Sequence, residues 1–247
     1  MIGVFDSGVG GLSALAPLER LLPKADLWYY ADTAALPLGT KSDEEIRERI
    51  MRALCFFEAM GAEGVLLACG TASSLLTKEC KQRFAFQIVD ILSPTAMTAG
   101  SLPRDARVLL LATPAAVRAG VFSAALARKK ATVFSLPCPR FVRLAELGAP
   151  IPSRAVRRTL APARFLQPTA VVLGCTHFSL LKEEISAHLP HTRLIDAAAC
   201  GAAAAAARFG GGGCGERRFL VTGDPQRFAR RASVILHRHI HAEHITP

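Results

Sequence analysis

The sequence predicts an α/β protein built from two similar, doubly wound parallel-sheet lobes related by pseudo-twofold symmetry. Two observations carry this prediction. Strand-like apolar runs alternate with longer helix-like segments, and the ends of the runs repeat at an interval of about half the chain. Alternating strands and helices are typical of parallel sheets covered by helices on both faces. The functional site is then expected in the cleft between the lobes, beyond the carboxyl ends of the strands.

The strands are predicted from short runs of apolar and β-branched residues. These runs are 2–5, 27–31, 64–68, 86–91, 107–112, 131–136, 169–174 and 192–196. The helix-like segments between them lie near 11–21, 42–60, 72–83, 115–128, 139–147, 153–165 and 178–187. After a GGGG linker at 210–213, the tail carries FLVTGDP and a candidate helix at about 225–241.

The strand ends repeat at one offset along the chain. Asp6 and Thr113 end the first and fifth strands and are 107 residues apart, while Cys69 and Cys175 are 106 apart. Each of the two cysteines follows an apolar run and precedes a threonine and a helix start, in ACGTAS and GCTHFS. A shared offset of this length indicates two similar lobes and is too long for a solenoid repeat.

The domain boundaries are placed in segments rich in small residues and proline, such as SPTAMTAGSLPRDA at 93–106. The first lobe is predicted to comprise 1–94 together with 208–247, and the second 95–207. We expect the tail after the GGGG linker to pack back on the first lobe.

Composition limits the classes of function. The chain has 247 residues, 51% hydrophobic and 20% charged, which is typical of a globular protein. No apolar stretch reaches the roughly 20 residues of a membrane helix, and the N-terminal segment does not resemble a secretory leader. Seven cysteines without a CxxC motif fit free thiols, so we expect a cytoplasmic protein. The net charge of +10 is scattered in short arginine clusters, and nucleic-acid binding is not favoured.

Pseudo-twofold symmetry would bring Cys69 and Cys175 to opposite sides of one small ligand. Two thiols on opposite faces of a carbon suit inversion of a stereocentre, because one removes a proton and the other delivers a proton to the opposite face. A helix start after each cysteine, and His177 beside Cys175, favour the thiolate form that such a base needs. The active site is therefore expected between the lobes, with Asp6 near Cys69.

These motifs resemble the glutamate racemase family, within the wider aspartate/glutamate racemases. The resemblance covers nearly the whole chain. It rests on IGVFDSGVGGLSAL (2–15), YYADTAALPLG (29–39), ACGTAS (68–73) and GCTHFSLL (174–181), with support from ATPAAVRAGVF, CPRFVRLAELG and VTGDP. It implies cofactor-independent interconversion of L- and D-glutamate, which supplies D-glutamate for peptidoglycan, by a homodimer.

The resemblance also implies roles for individual residues. The catalytic group comprises Cys69 and Cys175 as the acid–base pair, assisted by Asp6, His177 and Glu146. The substrate-binding group comprises Asp6, Ser7, Pro37, Leu38, Gly39, Gly70, Thr71, Thr113, Thr176 and His177. No metal site and no cofactor are expected.

Three positions depart from the family motifs. Gly70 stands where the family has asparagine, and a lost hydrogen bond to a charged ligand would cost about 1.5–3 kcal/mol. We expect the space beside Gly70 to hold water or a shifted ligand. Leu38 replaces the tyrosine of P-Y-G and Ser179 replaces a proline.

Other interpretations stay open at this stage. One alternative is a racemase of aspartate or another amino acid, with a pocket reshaped by Gly70. Another is a non-catalytic binding protein on a racemase scaffold. DSGVGG at 6–11 lacks the G-x-G-x-x-G spacing of a phosphate loop, so its glycines are better explained by close approach of backbone amides to a small carboxylate. In the tail, His237 and His241 have the i, i+4 spacing of a shared helix face, and a basic helix end is favoured over a metal site.

Overall fold

The fold contains two separate parallel sheets in a computed structural model that describes residues 1–128, 131–148 and 151–246. The first sheet has six strands in the order β10-β9-β2-β1-β3-β4. Their bounds are β1 Ile2–Asp6, β2 Leu27–Ala31, β3 Gly64–Leu67, β4 Gln87–Asp90, β9 Arg217–Val221 and β10 Glu243–His244. The second sheet has four strands in the order β6-β5-β7-β8, with bounds β5 Arg107–Ala112, β6 Thr132–Pro137, β7 Ala170–Leu173 and β8 Arg193–Asp196. The α/β class with parallel sheets is as predicted.

Corresponding strands pair at the same sequence separations in both sheets. Ile2 pairs with Leu27, and Arg107 with Thr132, so both pairs are 25 residues apart. The next pairing, β1 with β3 and β5 with β7, has a separation of 62 residues in each sheet, and the outer pairing has 23. The order β2-β1-β3-β4 is thus repeated as β6-β5-β7-β8, which is the structural form of the offset seen in the sequence.

Helices connect successive strands and cover the sheets. Those of the first half are α1 Leu12–Leu21, α2 Asp43–Ala59, α3 Gly70–Leu75, α4 Lys78–Lys81 and α5 Leu92–Ala99. Those that follow are α6 Pro114–Ala119, α7 Val121–Ala127, α8 Pro139–Leu147, α9 Ser153–Leu160, α10 Thr176–Ser179, α11 Lys182–His188, α12 Ala197–Arg208 and α13 Pro225–Leu236. Short 3-10 turns lie at Thr33–Ala35, Leu38–Thr40 and Ala161–Leu166. Within these described elements, no helix combines the length and apolarity needed to cross a bilayer.

One hydrophobic core joins the two sheets. It contains Val4 and Leu66 from the first sheet and Val108 and Val172 from the second, and all four are buried. The alanine-rich helix α12 packs against α1 and α5 and touches strands of both sheets, because its small side chains allow close approach. Burial of such apolar surface is the main stabilising term, at about 25 cal/mol per Å², and it fixes the strand ends of one sheet against those of the other.

The tail returns to the first sheet, as expected, because β9 pairs in parallel with β2. The predicted tail helix at 225–241 is too long. Helix α13 ends at Leu236, and His237 takes the left-handed conformation with φ 51°. His241 lies outside the helix, so His237 and His241 do not share a helix face, and the short strand β10 follows instead.

Candidate active site

The two thiols lie at equivalent strand-to-helix junctions of the two sheets. Cys69 follows β3 and caps α3, and Cys175 follows β7 and caps α10. Both cysteines have extended backbone dihedrals and both are only 4% exposed. A Cβ atom placed on Gly70 would lie 3.4 Å from Cys175 Cα, so the two junctions are in contact. The structure therefore brings together the two cysteines that the sequence places 106 residues apart.

The glycine-rich loop after β1 lies against residues of the second sheet. The backbone N–H of Gly8 donates to Asp6 Oδ1 at 2.8 Å, and that of Val9 donates to Glu146 Oε1 at 3.0 Å. A Cβ on Gly10 would lie 2.3 Å from His177 Nδ1, so a larger side chain does not fit there. The glycines of this loop have no side chains, so His177 of α10 and Glu146 of α8 can approach its backbone closely.

A histidine links Cys175 to a carboxylate. His177 Nδ1 is 3.8 Å from Cys175 Sγ, and His177 Nε2 is 2.6 Å from Glu146 Oε1. Burial alone would lower the pKa of His177, but its hydrogen bonds to Cys175 and Glu146 raise that pKa well above its usual value. Burial would raise the pKa of Glu146, and the hydrogen bond from His177 overcomes it and lowers that pKa. The arrangement favours an imidazolium beside Cys175.

Cys69 has a different environment. Its Sγ donates to Ser7 Oγ at 3.9 Å. Burial, and then the negative charge of Asp6, raise the pKa of the Cys69 thiol to about 12. Asp6 is fully buried, and burial raises its pKa although His177 and the hydrogen bond from Gly8 act in the opposite direction. One sulfur thus faces an imidazolium and the other is held as a thiol.

Threonines from both sheets complete the site. Thr176 Oγ1 donates to Asp6 Oδ2 at 2.8 Å, so the carboxylate at the end of β1 is bound by the helix start after Cys175. Thr71 Oγ1 and Thr113 Oγ1 are 2.8 Å apart, and Thr113 also caps α6 by accepting from the N–H of Ala116. Gly39 lies against Thr113, because a Cβ placed on Gly39 would be 2.6 Å from Thr113 Cβ. These threonines thus join residues of the first and second halves of the chain near the two cysteines.

The space beside Gly70 is not open. A Cβ on Gly70 would lie 2.0 Å from the carbonyl oxygen of Gly174, and that neighbour is backbone. The expectation that this space holds water or a shifted ligand is therefore wrong in this structure. The backbone of Gly174, just after β7, occupies the position that a side chain at residue 70 would need.

Two of the predicted binding positions, which are neighbours in the chain before α2, have different surroundings. Leu38 is 1% exposed and packs in a hydrophobic cluster with Phe5 and Tyr30. Pro37 lies with Leu36 at the wall of a larger cavity next to Glu146. The same hydrophobic cluster also contains Cys69.

Two residues that support the site were missed in the sequence. Tyr29 is buried, and its hydroxyl donates to the carbonyl of Gly8 at 2.7 Å. Ser13 Oγ donates to the carbonyl of Thr176 at 3.0 Å, which ties α1 to the helix start after Cys175. The position of Tyr29 on the strand next to β1 is the signal that was available.

Over the described ranges, no group of three or more His, Cys, Asp or Glu side chains is arranged to hold a metal ion.

Comparison with known proteins decides the family. The sequence model of the family described as Asp/Glu/Hydantoin racemase matches residues 15–205, more than three quarters of the chain. This chain belongs to the Asp/Glu/hydantoin racemase family. Both cysteine motifs, His177 and Glu146 lie within the matched segment, whereas Asp6 and Ser7 precede it.

Members of the racemase family match over nearly the full length. The glutamate racemase of Persephonella marina is 30% identical over 98% of this chain and 95% of its own. A crystal structure of glutamate racemase from Thermus thermophilus, in complex with β-chloro-D-alanine, is 32% identical with a TM-score of 0.87, covering 99% of this chain and 96% of that one. The Francisella tularensis glutamate racemase in complex with D-glutamate has a TM-score of 0.88 at 26% identity, covering 99% and 97%. Family membership thus extends to the arrangement of both sheets.

Proposed function

We propose that this chain is an amino-acid racemase that interconverts L- and D-glutamate without a cofactor, and so supplies D-glutamate for peptidoglycan. The observation that carries the proposal is the meeting of Cys69 and Cys175, each at the start of a helix and each from a different sheet. Full-length similarity to glutamate racemases gives the substrate. The substrate binds in the cleft between a first lobe of 1–94 plus 208–247 and a second of 95–207.

The two environments assign complementary roles to the thiols. Cys175, beside the His177 imidazolium, removes the α-proton as a thiolate, and Cys69 delivers a proton to the opposite face of the carbon. The pKa of about 12 keeps Cys69 protonated at neutral pH, as a proton donor must be. In the reverse direction the roles exchange, and Asp6 lies on the side of Cys69 to assist. No net proton is gained or lost in a turnover, because one sulfur ends protonated and the other deprotonated.

The substrate groups are held by the hydroxyls and amides around the thiols. Ser7, Thr71, Thr113 and Thr176 offer hydroxyls, and all four are buried. The helix starts at Gly70 and Thr176 add backbone N–H groups, which favour carboxylates. We propose Gly39, through its backbone, as a further contact at Thr113.

Solvent exchange and racemisation test this proposal. In heavy water, L- or D-glutamate should incorporate deuterium at the α-carbon, and Cys69→Ser and Cys175→Ser should each lose racemisation. Cys55→Ser, which changes an exposed thiol, is the matched control and should keep wild-type activity. Full racemisation by either active-site variant would overturn the two-thiol mechanism.

The alternatives give different results in the same assay. A racemase of aspartate or another amino acid would turn over that amino acid and leave glutamate unchanged in a substrate panel. A binding protein on this scaffold would show no turnover with any amino acid. Gly70 remains the feature that motivates both alternatives.

The cellular setting is proposed as a cytoplasmic homodimer. All seven cysteines are free thiols, which suits a reducing compartment, and the dimer follows from the resemblance to glutamate racemases. Sedimentation at several protein concentrations would test the dimer.

A further inference from the structure

A buried tyrosine hydroxyl contacts the glycine-rich loop after β1, and the proposed chemistry leaves it without a role. Tyr29 lies on β2, and its ring packs against Phe219 and Phe228, with centroids 6.1 and 5.8 Å away. Its O–H donates to the carbonyl of Gly8 at 2.7 Å. Because side chains in a close-packed core have little freedom to move, the aromatic contacts fix the direction of this hydroxyl.

The hydroxyl holds one end of a peptide unit whose other end reaches Glu146. The carbonyl of Gly8 and the N–H of Val9 belong to one planar trans peptide, so they point in opposite directions. The N–H of Val9 donates to Glu146 Oε1 at 3.0 Å. The same oxygen accepts from His177 Nε2 at 2.6 Å. Hydrogen bonds therefore run from Tyr29, through this peptide and the carboxylate, to the histidine of the site.

The same loop also binds Asp6, the second assisting carboxylate. The N–H of Gly8 donates to Asp6 Oδ1 at 2.8 Å. A Cβ on Gly11 would lie 2.6 Å from the Tyr29 hydroxyl oxygen and 2.5 Å from Asp6 Cβ, so these groups are in close contact. Burial, and then the negative charges of Asp6 and Glu146, raise the pKa of Tyr29 well above its ordinary value. The hydroxyl therefore remains a hydrogen-bond donor at neutral pH.

We propose that Tyr29 is a positioning residue for the racemisation. Its hydroxyl sets the orientation of the Gly8–Val9 peptide, and thereby the N–H donors that reach the two assisting carboxylates. Without the hydroxyl, the buried carbonyl of Gly8 loses its partner, and the loop must turn to satisfy it. This inference rests on the proposed function, since it names a residue that supports the same reaction.

Tyr29→Phe removes the hydroxyl and keeps the ring. It should lower kcat for glutamate roughly tenfold, since moving a catalytic group by about 1 Å costs up to about 100-fold. KM should change less than about twofold, because Tyr29 acts through the loop and not on bound substrate. The acidic limb of the kcat–pH profile should move to higher pH, since the N–H donors lower the pKa values of Asp6 and Glu146. The charged groups that face these carboxylates, His177 and Arg231, are unchanged by the substitution.

Tyr30→Phe is the matched control. It makes the same change at the next residue of β2, which is also buried but whose hydroxyl forms no hydrogen bond to a described residue. Both variants keep an aromatic ring in the core, so both are expected to fold, and circular dichroism checks this. Tyr30→Phe should keep the wild-type kcat, KM and pH profile. Equal losses of kcat in the two variants, or wild-type kcat in Tyr29→Phe, would overturn the proposal. A loss of kcat with the acidic limb in place would also overturn it, because Tyr29 would then only support the fold.

A measurement without turnover separates this proposal from the proposed function. Carboxyl-carbon NMR of the full chain gives the pKa of Glu146 in the absence of substrate, with the signal assigned by comparison with Glu146→Gln. That pKa should be higher in Tyr29→Phe than in the wild type and in Tyr30→Phe. A wild-type chain that does not racemise glutamate would contradict the proposed function. An equal pKa of Glu146 in all three proteins would instead contradict the role of Tyr29.

Discussion

At the scale of single residues, the absence of a side chain at Gly70 allows the backbone of Gly174 to approach closely. We predict that Gly70→Ala lowers the free energy of unfolding by about 1–3 kcal/mol, because its Cβ overlaps the Gly174 carbonyl and the main chain must shift. The loss is measured by urea denaturation. Gly212→Ala is the control, since a Cβ there meets no atom within 4 Å. Wild-type stability in Gly70→Ala would show that the approach to Gly174 is not tight.

The charge of Glu146 helps to raise the pKa of His177, the histidine beside Cys175. Glu146→Gln should lower kcat roughly 10- to 100-fold, since a hydrogen bond to a charged group is worth about 1.5–3 kcal/mol. The raised pKa of His177 keeps the imidazolium until the pH rises through that pKa. Without the carboxylate this pKa falls, so the alkaline limb of the kcat–pH profile should move to lower pH.

The pH profile separates this role from simple packing. Glu183→Gln, which changes an exposed carboxylate on α11, should keep the wild-type profile. A uniform loss of kcat at every pH, with the alkaline limb in place, would mean that Glu146 only supports the fold. An unaltered kcat would remove it from the proposed mechanism.

At the scale of elements, Asp196 joins a helix start to the helix that carries His177. Its Oδ1 accepts from the N–H of Ala198 at 2.9 Å, which caps α12, and from Ser179 Oγ at 2.7 Å at the end of α10. Asp196→Ala should cost about 1–3 kcal/mol of unfolding free energy, because it removes a cap and leaves the Ser179 hydroxyl unpaired. Asp196→Asn keeps an acceptor and should lose clearly less unfolding free energy when all three proteins are compared by urea denaturation. Equal losses in the two variants would contradict the hydrogen-bonding role.

The elements also show what the sequence could predict. Local patterns were sufficient to predict strands β1 to β8, since β-branched apolar runs between helices are a strong signal. The repeat of strand ends predicted which strand-to-helix junctions meet, and the junctions that carry Cys69 and Cys175 are in contact. Local patterns failed where tertiary contacts decide. The tail helix ends at Leu236, where His237 turns left-handed. The space beside Gly70 is filled by the backbone of Gly174, which follows β7 and lies 104 residues further along the chain.

Function was less accessible to sequence patterns than fold. The thiols, His177 and Glu146 stand in motifs, so their types and spacing indicated proton transfer. Tyr29 was missed because its contact with Gly8 depends on the pairing of β1 with β2.

At the scale of the whole molecule, buried protonated groups make stability depend on pH. Burial raises the pKa of Cys69 and of Cys138 to about 12, from an ordinary value of 9.0. It also raises the pKa of Tyr30 to about 12 from 10.0. A raised pKa means that the folded state holds the proton more tightly, so its stabilising effect is complete below the unfolded pKa. That effect is lost as the pH rises from about 9 towards 12.

We therefore predict a steep alkaline loss of stability. Each such thiol contributes a slope of up to about 1.4 kcal/mol per pH unit in that window. Urea denaturation at pH 8, 9 and 10 should show the decline. Cys138→Ala should reduce the slope of unfolding free energy against pH by about the contribution of one thiol, whatever its effect on stability at pH 8. Cys55→Ala removes an exposed thiol and should keep the wild-type slope. A slope unchanged by Cys138→Ala would mean that this thiol ionises equally in the folded and unfolded chain, and that burial does not hold its proton.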